Sequence, residues 1–172
     1  MVSVAMDAQG PRVVRPWHEK AGAEFPTLVD RENFLLRLFG FKVIPLAILF
    51  DEKSRHIKGP YDANIGDAEF GDELVKWATD PAFEKSLAAT SKKLGRKLSA
   101  KEKEAEARFQ IGTALLDLGK KEEAMAEWRE AAKLDPKNWI IRKQIWAVEN
   151  PDRFYKERVD YDWQKEQLKA EK

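Results

Sequence analysis

A continuous apolar run spans residues 43–50, Val-Ile-Pro-Leu-Ala-Ile-Leu-Phe, and the charged residues 51–53 follow it directly. Runs of this kind are typical of a strand that is buried on both faces of a parallel or mixed sheet. Pro45 lies near its start, where a missing backbone N–H is tolerated. The pattern therefore predicts a buried strand at 43–50, around which the first half of the chain is arranged.

The hydrophobic pattern on either side of this run alternates between strand and helix signals. The expected elements are a strand at 2–6, a helix with Pro11 or Pro16 in its first turn and ended by Gly22, and an extended piece at 25–29. A helix at 31–39 capped by Asp30, a return strand at 55–58 closed by Gly59-Pro60, and a helix from Asp67 should follow. This order is an α/β pattern for residues 1–79.

The second half of the chain shows helical periodicity only. Ser99 and Glu102 form a capping-box pattern at the start of one helix. The predicted helices cover 81–94, 99–118, 121–133, 138–149 and a short tail near 161–168. We therefore expect a domain at 1–79, a helix and linker at 80–98, and a helical domain at 99–172. The basic residues of the linker are interpreted as a solvated helix end, with a phosphate or acidic-partner patch as the alternative: Lys92, Lys93, Arg96 and Lys97.

Composition narrows the possible chemistry. The 172 residues contain no cysteine, which removes thiol nucleophiles, disulfides, cysteine-based zinc sites and iron–sulfur ligation from this chain. The net charge of +1 gives no reason to expect nucleic acid or an anionic membrane as a partner. No apolar run approaches the ~20 residues of a membrane span, so no membrane insertion is expected. The first residues lack a secretory signal; the chain as given is expected to be cytoplasmic, or extracytoplasmic if an exported or anchored segment precedes it.

The histidines and tryptophans offer little for catalysis. His18 lies beside Glu19, but adjacent residues on a helix do not face one another, so His18 is interpreted as a surface residue. His56 has basic neighbours and is also expected to be exposed. The six tryptophans are spread over separate elements without a basic stripe, which favours core packing over nucleic-acid stacking. We therefore expect no metal and no cofactor.

Eight positions between residues 105 and 136 form a recurring helix–turn–helix pattern: Ile111, Gly112, Leu115, Gly119, Ala124, Trp128, Ala131 and Pro136. Together they resemble one tetratricopeptide (TPR) repeat. Gly112 and Ala124 are small enough for two helices to approach closely, while Leu115 and Trp128 would fill the interface between them. Gly119 permits the turn between the helices.

A single repeat cannot bury both of its faces, so the helices predicted at 81–94 and 138–149, or the α/β domain, should cover it. An open concave face would be a groove for a protein or peptide segment. The candidate groove residues are Glu106, Phe109, Thr113 and Leu116. The alternative is that these four side chains simply pack against the next helix.

Four segments carry a second pattern: Val2-Ser-Val-Ala-Met6-Asp7, Phe25-Pro-Thr-Leu-Val-Asp30, Leu38-Phe-Gly40-Phe41-Lys42-Val-Ile-Pro45, and the strand ending in Asp51-Glu52. They resemble the later two-thirds of a thioredoxin-fold domain of the TlpA-like thiol–disulfide oxidoreductase and peroxiredoxin group. The resemblance implies a cis Ile44–Pro45 bond. It also implies that Val43, Ile44 and Pro45 could contact an extended peptide. The fold class expected for the chain is thus α/β: a partial thioredoxin-like fold followed by an all-α, TPR-like helical hairpin domain.

The chain departs from that family at its functional centre. The family's Cys-x-x-Cys motif follows a core strand that precedes the segment similar to residues 2–6, and neither is present here. That strand normally lies between the strands matching 2–6 and 45–50, so both would have bare edges, which recruit other strands. The sheet could close up, a second copy could supply the pairing, or the chain could be part of a longer protein.

Two functions remain open from the sequence. The first is a redox-inactive protein-interaction or scaffold module, with a protein or peptide partner and a possible homo-oligomer through the exposed sheet edge. The second is the C-terminal part of a thiol–disulfide oxidoreductase or peroxiredoxin whose catalytic cysteines lie upstream. In both cases no catalytic residue is expected within these 172 residues.

Overall fold

The structure, a computed structural model, describes residues 1–64, 66–90 and 97–170, and the side chains of residues 88–90 are not described. Some sequence predictions fall outside the described residues, namely the helix end at Leu94 and Gly95 and the basic residues Lys92, Lys93 and Arg96.

Within the described residues, the chain forms nine helices and four strands, and the strands make two separate two-stranded sheets. In order, the elements are β1 (Ser3–Met6), α1 (Pro11–Lys20), β2 (Thr27–Asp30), α2 (Phe34–Phe39), β3 (Leu46–Phe50), β4 (His56–Asp62), α3 (Ala68–Thr79), α4 (Pro81–Thr90), α5 (Ala100–Asp117), α6 (Lys121–Leu134), α7 (Trp139–Glu149), α8 (Asp152–Tyr155) and α9 (Tyr161–Ala170). The architecture is mixed α/β.

The chain divides into two compact units. The helical unit comprises residues 1–33 and 99–172, and the central unit comprises residues 34–98. This division differs from the expected one, which kept residues 1–79 together. The reason lies in α7, where the Gln144 side chain bonds to the main chain of Met6 and Ala8 and ties β1 to the helices.

The helical unit begins with a parallel β–α–β segment. β1 and β2 pair in register, with Ser3 opposite Thr27 and Met6 opposite Asp30, and α1 connects them. α1 starts at Pro11, whose missing N–H has no cost in a first helical turn.

The helices of this unit start at local capping signals. Ser99 and Glu102 form the predicted capping box at α5. Asn138 caps α7 by accepting hydrogen bonds from two main-chain N–H groups. The main core contains side chains from α5, α6 and α7 together with one residue of the loop after β1: Ala8, Ala105, Phe109, Met125, Trp128, Ala131, Ile141, Ile145 and Val148.

The central unit is built on the antiparallel pair of β3 and β4, whose register is irregular. α3 and α4 cover one face, where Leu49, Ile57 and Leu87 are buried. α3 begins at the predicted cap, because the Asp67 side chain accepts a hydrogen bond from the Glu69 N–H at 2.9 Å.

Several local predictions were wrong. The run 43–50 is not a strand buried on both faces, since the strand begins at Leu46 and only Leu49 within it is buried. The other side chains of β3 are half-buried, apart from Phe50, which is exposed. The helix expected from Arg31 begins at Phe34, because residues up to Asp30 belong to β2. Gly59-Pro60 does not end β4 but lies inside it.

Candidate functional site

The loop of Val43, Ile44 and Pro45, here called the 43–45 loop, is exposed to solvent. Val43 is 40% exposed and Ile44 is 38% exposed. The Ile44–Pro45 peptide bond is cis, as the sequence resemblance implied. β3 continues directly from this loop and pairs with β4 on one side, and no described strand pairs with its other edge. The loop and the free edge together present main-chain groups and apolar side chains.

Further exposed apolar side chains occur close to this loop in the sequence. Phe34 is 49% exposed and Leu38 is 43% exposed, and because they lie four residues apart they share one face of α2. The end of α2 packs onto β3, since the ring centroids of Phe39 and Phe50 are 6.3 Å apart. Phe50 itself remains 39% exposed. The central unit therefore has apolar surface on α2, the 43–45 loop and β3.

An open depression of about 710 Å³ lies where β4 and α4 meet. Charged and small apolar side chains line it: Arg55, His56, Ile57, Pro81, Ala82, Glu84 and Lys85. The His56 Nε2 atom lies 3.0 Å from the Gly59 carbonyl oxygen, so this ring is held by the strand's own turn. No group of three or more histidine, aspartate or glutamate side chains among the described residues could hold a metal ion.

The other histidine lies between strand and helix. The His18 Nδ1 atom is 2.8 Å from the Thr27 hydroxyl, which is itself 2.7 Å from the Ser3 hydroxyl. The sequence interpretation of His18 as a surface residue needs correction, because the ring is half-buried and lies within hydrogen-bond distance of β2. These contacts fix α1 on the sheet.

The α5–α6 hairpin approaches most closely at Gly112. A Cβ atom at this position would lie 2.4 Å from two atoms of the Trp128 ring and 2.9 Å from the Ala124 carbonyl oxygen. Trp128 is fully buried, stacks on Phe109 with 5.4 Å between ring centroids, and donates its Nε1–H to the Phe109 carbonyl at 2.9 Å. The structure shows the close helix approach that the small residues predicted.

The candidate groove residues do not form an open surface. Glu106, Phe109 and Thr113 are buried, with 5%, 1% and 4% exposure, and Leu116 is half-buried against the main core. The Thr113 hydroxyl donates to the Phe109 carbonyl of its own helix at 3.0 Å. These side chains instead pack inside the helical unit, which was the alternative prediction from the sequence. Ala8 lies in the same core, so the loop after β1 helps to fill that space.

The remaining repeat positions have diverse environments. Ala124 and Ala131 are fully buried, whereas Ile111 is 51% exposed and fills no interface among the described residues. Leu115 is half-buried in α5, Gly119 has the positive φ of 75° that its turn requires, and Pro136 is exposed after the end of α6.

A buried amide clamp joins α7 to the loop after β1, and we call it the Gln144 clamp. The Gln144 Nε2 group donates to the Met6 carbonyl at 3.0 Å, and its Oε1 atom accepts from the Ala8 N–H at 2.8 Å. The clamp was not predicted from the sequence. The available signal was position, because Gln144 lies three residues after Ile141 and four after Ile140, on the apolar face of α7.

The same loop is held by a second polar group. The Tyr155 O–H donates to Asp7 Oδ2 at 2.6 Å, and the Gln9 side chain donates to the Tyr155 oxygen at 2.9 Å. Burial raises the pKa of Asp7 above its ordinary 3.8, although the bonds from Tyr155 and Gln9 act in the opposite direction. Burial and the neighbouring Asp7 charge raise the pKa of Tyr155. These groups fix the loop in place, in line with a structural role.

Comparison of the chain with family models, with curated proteins and with solved structures found no match. Among the described residues, no helix is both long enough and apolar enough to cross a membrane.

Proposed function

We propose that this chain is a protein-interaction module without thiol chemistry. In this proposal, its central unit holds an extended apolar segment of a partner protein along the 43–45 loop and the free edge of β3. We also propose that the chain combines a partial thioredoxin-like domain with a TPR-like helical unit, as the resemblance of its sequence implies.

The observation that carries the proposal is the exposure of apolar side chains beside a free strand edge. Val43, Ile44 and Phe50 each expose between 38% and 40% of their surface. Exposed apolar patches mark interaction sites more often than isolated exposed residues do. A free strand edge supplies main-chain hydrogen bonds to an added strand, while alternate side chains supply specificity.

The chemistry of the chain favours binding over catalysis. The 172 residues contain no cysteine, so they cannot themselves carry out thiol–disulfide exchange. The polar group with the clearest pKa shifts, Asp7 with Tyr155, is engaged in hydrogen bonds that hold the loop after β1. The exposed apolar surface of the 43–45 loop and β3 is instead suited to binding a partner.

Peptide selection followed by mapping tests the proposal. The full chain would be used to select binders from a random peptide library, and the amide NMR shifts caused by a selected peptide would be mapped. We expect apolar, extended peptides whose shifts centre on residues 43–50. A library that yields no binder, or binders that shift only other regions, would overturn the proposal.

A matched pair of variants sharpens the test. Ile44→Asp places a charge in the 43–45 loop and should weaken a selected peptide at least about tenfold, since the charge must lose water on binding. Val75→Asp is the control, because Val75 on α3 is 64% exposed and lies outside the proposed site. Equal affinity of the Ile44→Asp variant and the Val75→Asp control would argue against the 43–45 loop as the binding surface.

A further inference from the structure

The strand β1 has one edge paired and one edge open. The Ser3 N–H donates to the Pro26 carbonyl at 3.0 Å, and the Asp7 N–H donates to the Asp30 carbonyl at 3.1 Å. Successive residues of a strand direct their main-chain groups to opposite edges. The odd-numbered residues of β1 therefore face β2, and the even-numbered residues Val2, Val4 and Met6 face away from it. We call this second side the outer edge of β1.

The Gln144 clamp occupies only one end of the outer edge. Its amide bonds to the Met6 carbonyl and the Ala8 N–H, which are the groups that a neighbouring strand would bond at this position. The clamp thus takes the place of one strand residue. Within the described part of the chain, β1 pairs with β2 alone, which leaves the main chain of Val2 and Val4 available at the outer edge.

The open end of this edge lacks the usual protection against pairing. Natural edge strands carry charges, prolines or bulges that block a second strand. Residues 1–6, Met-Val-Ser-Val-Ala-Met, contain no charged side chain and no proline. Val2 and Leu28 are each 58% exposed and Val4 is 38% exposed, and Val4 lies directly opposite Leu28 in the sheet. An added strand would extend a sheet face on which Val2, Val4 and Leu28 are exposed.

We propose that a second copy of this chain occupies the outer edge of β1 as an antiparallel strand. A two-fold axis at Ser3 places Val2 opposite Val4 of the other copy, and these are the two residues whose main-chain groups face the outer edge. Each such pair exchanges two main-chain hydrogen bonds. The register ends at the Gln144 clamp, and the two-stranded sheet becomes a four-stranded sheet of ordinary size. This dimer is independent of the peptide surface on the central unit.

Sedimentation equilibrium of the full chain over a range of concentrations tests the dimer. We expect self-association that Val4→Pro weakens at least about tenfold, because proline removes an outward N–H and leaves the bonds to β2 in place. Val4→Thr keeps the N–H and is the matched control, expected to associate like the wild type. Far-UV circular dichroism establishes that each variant is folded. A wild-type chain that stays monomeric at every concentration would overturn the proposal.

Amide hydrogen exchange of the unmodified chain gives a second readout that needs no variant. Raising the protein concentration should slow exchange of the Val4 N–H, which the dimer covers. The Ser3 N–H should not change, since it already donates to Pro26. If association occurs but the Val4 exchange rate is independent of concentration, the interface lies elsewhere and the β1 pairing is wrong.

Discussion

The helical unit and the central unit bury their apolar side chains to different degrees. The helical unit encloses Trp128, Phe109 and Ile141 at 1% exposure or less. In the central unit, Leu36 of α2 reaches 1% exposure, whereas the side chains packed between the sheet and the helices, such as Ile57 and Leu87, stay at 4% to 8%. The central unit also contains five of the exposed large apolar residues that surround β3 and α2.

The degree of apolar burial affects how rigid each unit is and how much apolar surface it offers to a partner. Apolar burial is the main favourable term in folding, and regions with less of it open at lower free-energy cost. The helical unit encloses its Trp128 and Phe109 rings completely, although it also exposes separate apolar residues such as Leu28 and Ile111. The central unit leaves apolar surface to solvent, which is the property expected of a binding surface.

Replacing one tryptophan in each unit should give the largest difference in stability between the two units. Trp128→Ala removes a fully buried ring and its bond to Phe109, and should destabilise the helical unit by about 3–5 kcal/mol. Trp77→Ala in α3 removes a half-buried ring and should cost less. Amide exchange protection in α5–α7 and in α3 measures the two effects separately.

Equal losses of protection in the two variants would contradict the contrast between the units. A Trp128→Ala chain with unchanged protection in α5 and α6 would show that this side chain does not organise the hairpin. Far-UV circular dichroism before exchange ensures that both variants start from a folded state.

Replacing a helical glycine by alanine should lower folding stability in the helical unit and raise it in the central unit. Gly112→Ala must displace the fully buried Trp128 ring, 2.4 Å away, so it should destabilise toward the upper end of the ~1–3 kcal/mol range for overpacking. That cost exceeds the ~1 kcal/mol gain in helix propensity from glycine to alanine. Gly71→Ala in α3 meets no atom within 4 Å, so it should stabilise by up to about 1 kcal/mol.

Denaturant titrations followed by circular dichroism measure both glycine changes. A stabilising Gly112→Ala would mean that the α5–α6 approach is looser than the 2.4 Å contact indicates. A destabilising Gly71→Ala would point to a contact of α3 that the open space around Gly71 does not suggest.

The Gln144 clamp should contribute less to the free energy of unfolding than the Trp128 side chain does, but more than a hydrogen bond at the surface. Gln144→Met keeps the length of the side chain and removes both hydrogen bonds, each worth about 1 kcal/mol, so a loss of about 2 kcal/mol is expected. Gln110→Met is the matched control, because the Gln110 side chain is only half-buried and its amide reaches Glu106 at the long distance of 3.5 Å. A control as unstable as the Gln144 variant in urea titrations would remove the argument for the clamp.

Local signals explain what the sequence predicted well. The capping box at Ser99 and the glycine turn at Gly119 each depend on neighbouring residues alone, and α5 begins and ends next to these two signals. Likewise, α3 starts at its Asp67 cap. Helix ends need no knowledge of the rest of the fold, because their unpaired N–H and C=O groups are satisfied within a few residues.

Long-range contacts explain what the sequence did not predict. The Gln144 amide bonds to residues 136 and 138 positions away, which no local pattern can indicate. The burial of residues 43–50 was also overestimated, since burial of a strand depends on neighbouring strands that the run itself does not specify. Glu106 and Thr113 were read as possible groove residues, although the core encloses them.

The smallest expected effect is a pH dependence with opposite signs at two aspartates of the helical unit. The raised pKa of Asp7 means that the folded chain binds the carboxyl proton more tightly than the unfolded chain does. The contribution of protonated Asp7 to folding stability is therefore present below pH 3.8 and is lost as the pH rises above that value. The pKa of Asp160 is lowered, chiefly by the hydrogen bond from the Trp163 N–H. The contribution of the Asp160 carboxylate to folding stability is therefore present above pH 3.8 and is lost as the pH falls below that value.

Asparagine variants isolate these two contributions in urea titrations across the acidic range. The stability of Asp7→Asn relative to the wild type should improve as pH rises above 3.8, because asparagine has no buried charge to form. The relative stability of Asp160→Asn should instead worsen as pH rises toward 3.8, since only the wild type gains the charged hydrogen bond. Slopes of the same sign would show that burial does not raise the pKa of Asp7, and that the loop after β1 is more open to water than its bonds to α7 and α8 indicate.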